Sequence, residues 1–162
     1  MIIFAYGSLI NIDSAREDVP NLKKMYQGKL KGFRRVFNLQ AKRLNSPCGL
    51  VAVLDIENDN NSYLNGVYFE IKEDDLIALK NREILYKFIE VDIVGKNEEK
   101  IKALVVQAKG KTRTNYKFNC DVQEKYLRIC LDGAKSQGEK FFEEFRQTTF
   151  IGRKNLIDLG IK

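Results

Sequence analysis

The stretch Met1-Ile2-Ile3-Phe4-Ala5-Tyr6-Gly7-Ser8-Leu9-Ile10 is an apolar run that ends in a turn. Residues 2–6 show no polar alternation, which predicts a strand buried on both faces. Gly7 and Ser8 interrupt it, and the turn they make can aim the backbone amides of Gly7, Ser8 and Leu9 at a ligand. Two readings are open. The turn is a nest of N–H groups for a carboxylate or a developing oxyanion, or it is an ordinary strand-to-loop turn with Tyr6 buried.

Outward from this strand the pattern is of further strands and few helices. Residues 24–32 and 33–39 have strand character, with bends at Gly28 and Gly32. Residues 45–49 form a loop, and 50–56 a buried strand ending in the turn-rich stretch 57–62. Residues 64–71 are another strand, in which Gly66 permits close backbone approach. Residues 86–94 and 101–108 are strands joined by a charged hairpin, and 109–118 is a basic loop. Residues 11–20 are a short helix or loop, and 72–83 a helix opening with Glu73-Asp74-Asp75 at its positive end. Residues 121–145 are helical and divided at Gly138, with Val122, Tyr126, Ile129, Cys130 and Ala134 on one stripe. The expected fold is α+β: a small mixed β-barrel or curled sheet with helices outside, in one domain spanning residues 1–162.

Composition removes several chemistries. The chain has no histidine, so a Ser-His-Asp triad, a Cys-His pair and a His-ligated zinc site are impossible. Acid–base work must fall to Asp, Glu, Lys, Tyr or Cys. Cys48, Cys120 and Cys130 form no C-x-x-C and are odd in number, which reads as three free core thiols in a cytoplasmic protein. No apolar run reaches the roughly 20 residues of a membrane helix, and no basic leader precedes the first strand, so no membrane or secretory role is expected. The net charge is +6. Lys29, Lys31, Arg34, Arg35, Lys42 and Arg43 alternate with Phe33 and Phe37, which fits a nucleic-acid surface, attraction of a small anion, or ordinary sheet alternation. The last accounts for the spacing, and no nucleic-acid partner is expected. Gly110-Lys111-Thr112 lacks the glycine that a phosphate loop needs, since position 105 is valine.

Glu83 is the sharpest candidate for chemistry. It follows Leu76 and Leu79 at i, i+3, i+7, so its carboxylate shares the apolar face of its helix. Desolvation and the negative helix end would both raise its pKa, suiting it to proton transfer. A buried ion pair with Arg82 or a lysine explains the position equally well. Tyr126 also lies on an apolar stripe, where core packing is the ordinary explanation.

Phe4-Ala5-Tyr6-Gly7-Ser8-Leu9-Ile10, Gly32-Phe33-Arg34-Arg35-Val36-Phe37, Gly66-Val67-Tyr68 and Arg82-Glu83-x-x-Tyr86, in that order, resemble the γ-glutamylcyclotransferase superfamily. The first and last are most similar to its glutathione-cleaving, ChaC-like branch, and the stretch from Tyr126 to Phe150 is similar to bacterial members. Ala5 replaces the usual glycine before the tyrosine, and Ile84-Leu85 stand where that branch tends to carry glycine. The resemblance implies a small mixed barrel that needs no cofactor or metal and acts as a monomer or homodimer on a small γ-glutamyl substrate. It implies that Tyr6, Gly7, Ser8 and Leu9 hold the γ-glutamyl group, that Glu83 is the catalytic acid–base, and that Tyr126 contacts substrate. A non-catalytic binding module on the same fold is the alternative.

Overall fold

The computed structural model describes residues 1–41, 46–110 and 112–162. The expectations for Lys42, Arg43, Asn45 and Lys111 lie outside the described residues.

Strand β1 (Ile2–Ala5) is central because it has a neighbour on each edge. It runs antiparallel to the second half of β3 (Val51–Glu70) and parallel to β5 (Lys100–Ala108). From β5 the hydrogen bonds pass to β4 (Tyr86–Gly95), then to β2 (Tyr26–Ala41), and β2 returns to β3. Five strands thus close a mixed barrel, the expected architecture. Two short strands, β6 (Thr149–Ile151) and β7 (Lys154–Asn155), extend it beyond β2. Ile3, Phe4, Ala5 and Tyr6 are each at most 3% exposed, as the run without alternation requires. Among the described residues no helix is long and apolar enough to cross a membrane.

Two expected strand breaks are not breaks. β2 runs unbroken through Gly32, and β3 runs unbroken through the stretch expected to be a turn. The turn chemistry is present but is absorbed as an irregularity. Pairing jumps from Lys31↔Tyr63 to Phe33↔Asn58, so Gly32, at φ +87°, faces residues 59–62. The Asp59 carboxylate accepts from the Asn61 amide and the Ser62 hydroxyl, which satisfies the extra residues locally. Gly66 does permit close approach: a Cβ there would fall 2.6 Å from the Phe4 ring.

Helix α1 (Ile12–Arg16) follows a 3-10 turn at Ser8–Ile10. Helix α2 (Glu73–Arg82) starts where Asp75 accepts the Lys72 amide. Helices α3 (Asp121–Ser136) and α4 (Glu139–Gln147) are separated at Gly138 as expected. The buried centre of α3 is Gln123, Leu127, Cys130, Leu131 and Ala134, whereas Val122, Tyr126 and Ile129 flank it half-buried. The stripe is therefore rotated from the expected one, because α3 also packs on the 3-10 turn. Gly133 makes that approach possible: a Cβ there would lie 2.9 Å from the Asn11 Cα. The cysteine reading needs correction. Cys48 and Cys120, 72 residues apart, form a disulfide, and only Cys130 is a free buried thiol. The barrel closure that brings the β2–β3 connection onto the start of α3 leaves no mark in cysteine spacing.

The basic stretch follows the sheet. Lys29 pairs with Glu144, and Arg34 pairs with Glu57 and stacks on Phe150. Arg35 points inward and is wholly buried. Its Nε donates to Thr149 Oγ1 (2.7 Å), Nη1 to the carbonyls of Tyr6 (3.2 Å) and Asn65 (2.6 Å), and Nη2 to Asn65 Oδ1 (2.9 Å) and Thr148 Oγ1 (2.8 Å). Burial lowers its pKa to about 9, so the guanidinium still carries its charge at neutral pH. Replacing Arg35 with methionine strands those acceptors and should cost about 3–5 kcal/mol in urea denaturation. A loss below about 1 kcal/mol would show that the cluster is dispensable.

Candidate active site

The cavity arises where the barrel wall splays. β1 pairs with β3 only along residues 67–70, so on its second edge the segment 51–56 has no strand neighbour among the described residues. Its outward ladder groups recur at every second residue, and side chains take them. The Gln123 amide accepts from Ala52 N and donates to Ala52 O, both at 2.8 Å, imitating a neighbouring strand. Leu54 N donates to the Tyr126 hydroxyl (3.2 Å), and the Tyr86 hydroxyl donates to Leu54 O (2.6 Å). Gln107 Nε2 donates to Ile56 O. Across the seam the Tyr6 hydroxyl donates to Val106 O (2.8 Å), and Asp55 accepts from Ala108 N (2.9 Å) while pairing with Arg113 (3.0 Å).

This seam encloses about 280 Å³. Tyr6, Gly7, Ser8, Leu9, Glu83 and Tyr126, named from the sequence, all line it, together with Arg82 and Tyr86. β1 and the 3-10 turn supply the first four. The turn leaves its leading amides without intrahelical acceptors, a property of any such start. It also runs close under Tyr126, since a Cβ on Gly7 would be 3.6 Å from that hydroxyl. The remaining wall is largely apolar and includes Val53, Leu85 and Phe88.

Glu83 enters by a tight turn. Its amide still bonds Leu79 O (2.8 Å), but its φ/ψ of −94°/44° ends the helix, and its carbonyl accepts from Tyr86 N (2.9 Å). The Arg-Glu-x-x-Tyr spacing is thus one turn from α2 into β4, and it buries Glu83 and Tyr86 side by side in the wall. Arg82 braces the same corner. Its guanidinium lies 3.7 Å from Glu83 Oε1 and pairs with Asp18 (2.9 Å). It also donates to Ser14 Oγ (2.6 Å) and Ser8 Oγ (3.4 Å), coupling the carboxylate to the amide-bearing turn. The open choice for Glu83 therefore resolves geometrically into both features, a cavity-lining carboxylate and an ion pair with Arg82.

Burial decides which other groups could exchange protons. It pushes the phenols of Tyr6 and Tyr126 well above their ordinary value, with neighbouring Tyr86, Asp55 and Glu83 adding to the shift for Tyr6. For Tyr126, Cys130, Tyr86 and Glu83 act the same way. Burial likewise pushes the Cys130 thiol up to about 12. These groups are neutral at physiological pH and serve as hydrogen-bonding groups, not bases. Neither Arg34 nor Arg35 lines the cavity; Arg35 instead holds the Tyr6 carbonyl from behind. Gln123 and Asp55 were missed from sequence. Both are polar residues within apolar patterns, the same signal that singled out Glu83.

No protein-family model matches the chain, and no curated protein matches it in sequence. Solved structures match its fold over nearly its full length. One is a γ-glutamyl cyclotransferase, with a TM-score of 0.73, 17% identity, and coverage of 98% of this chain and 96% of that one. An uncharacterized human protein has a TM-score of 0.72 at 16% identity, with the same coverages of 98% and 96%. A yeast γ-glutamyl cyclotransferase specific to glutathione gives 0.65 at 11% identity, covering 99% and 93%. The fold is that of the γ-glutamylcyclotransferase-like barrels.

The side-chain ladder predicts a measurable cost at the seam. Gln123→Leu leaves the amide and carbonyl of Ala52 buried and unpaired, and should destabilise by about 2–4 kcal/mol in chemical denaturation. Tyr126→Phe removes one partner of Leu54 and should cost about 1–2 kcal/mol. A Gln123→Leu variant as stable as the parent would mean that the seam does not hold the strand.

Proposed function

We propose that this protein is a γ-glutamylcyclotransferase that cleaves a γ-glutamyl amide, glutathione or a γ-glutamyl amino acid or amine, with release of 5-oxoproline. The observation that carries the reading is the buried carboxylate of Glu83 in the same cavity as the Tyr6–Leu9 turn, at the end of a full-length fold match to proteins named as γ-glutamyl cyclotransferases. The motifs most similar to the ChaC-like branch favour glutathione.

The reaction needs little beyond that geometry. The α-amine of the γ-glutamyl group is the nucleophile and its own γ-carbonyl carbon is the target. Holding the chain bent brings them together and removes much of the entropic barrier. Glu83, as carboxylate, takes a proton from the ammonium, and the freed amine forms the ring C–N bond. The γ-amide C–N bond then breaks as Glu83 returns that proton to the departing nitrogen. The second proton, shed by the ring nitrogen, passes through the same carboxylate to the released amine, which leaves as its ammonium. The products are the five-membered lactam and that ammonium. Amides of the Gly7–Leu9 turn bind the substrate carboxylate or meet charge developing on the γ-carbonyl oxygen. Arg82, 3.7 Å from Glu83 Oε1, keeps that carboxylate oriented.

Purified protein is expected to release 5-oxoproline from at least one of glutathione, γ-Glu-Ala and γ-glutamyl-ε-lysine. Glu83→Gln should keep the fold and lose turnover by about two to four orders of magnitude. Turnover retained in that variant rejects Glu83 as the acid–base. Absence of turnover on every substrate by the folded parent rejects the activity for this panel.

A further inference from the structure

The disulfide stands at one end of the clasps that hold the cavity wall. Cys48 lies just before β3, and Cys120 caps the start of α3. The next contacts between these elements are Ala52 with Gln123 and Leu54 with Tyr126. Cystine, amide and phenol therefore fasten the same strand to the same helix at successive positions. Cys120 is 3% exposed and packs with Ala41, Val53 and Tyr86, three residues of the cavity wall, whereas Cys48 is exposed. The inner half of the bond sits at the N-terminal end of α3, where Cys120 is the N-cap residue, with the Ser46 hydroxyl 3.7 Å from its sulfur.

We propose that Cys48–Cys120 is a thiol-exchange site, open to a low-molecular-weight thiol, whose redox state sets the rigidity of the cavity wall. A thiolate attacks the exposed Cys48 sulfur. The S–S bond breaks, a mixed disulfide forms on Cys48, and the electron pair leaves on the Cys120 sulfur, at the positive end of α3 and beside the Ser46 hydroxyl. A second thiol attacks the mixed disulfide, leaving Cys48 reduced. In sum two thiols are oxidised to one disulfide and the protein gains two thiols. Freed of the bond, residues 51–54 keep the Gln123 and Tyr126 hydrogen bonds to α3 but lose the covalent clasp, so local opening becomes easier.

The test follows hydrogen exchange, which needs no assumption about the substrate. The oxidised protein is treated with glutathione, and separately with dithiothreitol, and thiols are counted by alkylation and intact mass. A glutathione adduct on Cys48 followed by two new thiols is expected. Amide exchange in peptides covering residues 51–54 and 121–127 should then rise about tenfold, with peptides of β4 and β5 unchanged. Cys48→Ser, with or without dithiothreitol, should exchange like the reduced parent. Exchange at those peptides that is identical in both redox states overturns the proposal even if 5-oxoproline release is found. So does a disulfide that glutathione leaves intact while dithiothreitol opens it only after unfolding. Loss of the cyclotransferase reading alone leaves both readouts standing.

Discussion

The buried guanidinium of Arg35 is the contact on which the arrangement of this molecule depends. It reaches the end of β1 at Tyr6, β3 at Asn65, the end of α4 at Phe145 and Thr148, and β6 at Thr149. Its acceptors are carbonyls, a side-chain amide and hydroxyls, and its face lies 3.9 Å from the Phe145 ring centroid. A charge so buried is tolerated only when each N–H has a partner and an aromatic face shares the load. Arginine can meet this demand because its donors form a rigid planar fork, which lysine lacks. The consequence for the cavity is direct. With Tyr6 O held from behind, the start of the cavity-lining turn is anchored to the core.

A second constraint comes from the strand topology. A closed barrel normally satisfies its ladder groups strand to strand. Here β3 pairs with β2 from residue 51 to 68, apart from the irregularity at 59–62, but meets β1 only at its far end, and a seam opens at residues 51–56. Every polar group at that seam has to be met, and Gln123, Tyr126, Tyr86 and Gln107 meet them from α3, β4 and β5. Of these, Tyr86 and Tyr126 also line the cavity. The tyrosines that line it are thus structural members first. Burial holds the Tyr6 and Tyr126 phenols well above their ordinary value, so both stay neutral at physiological pH.

How much of this was legible follows from the range of each interaction. The unalternating run at residues 2–6, the break at Gly138 and the close approach at Gly66 are local properties and read correctly. Gly32 and the Asp59-containing stretch were also read correctly as irregular, but not as parts of unbroken strands. Turn chemistry looks the same whether the chain reverses or bulges. Cys48 and Cys120 read as free thiols because their partnership spans 72 residues and leaves no local trace. The resemblance supplied what periodicity could not, namely that the Tyr6 turn and Glu83 belong to one site.

Read residue by residue, the sequence specifies an α+β chain, a barrel or curled sheet with helices outside, that has no histidine, a turn after a buried strand and a carboxylate on an apolar face. Those follow from composition and from side-chain spacing within a few residues. Folding of the whole chain settles that Glu83 leaves its helix through a tight turn, that Arg82 links it to Ser8, and that Arg35 supports the turn instead of entering the cavity. The same holds for the seam and its disulfide. Each depends on the barrel closing, because closure alone brings together groups that lie tens of residues apart and forces buried polar atoms to find one another.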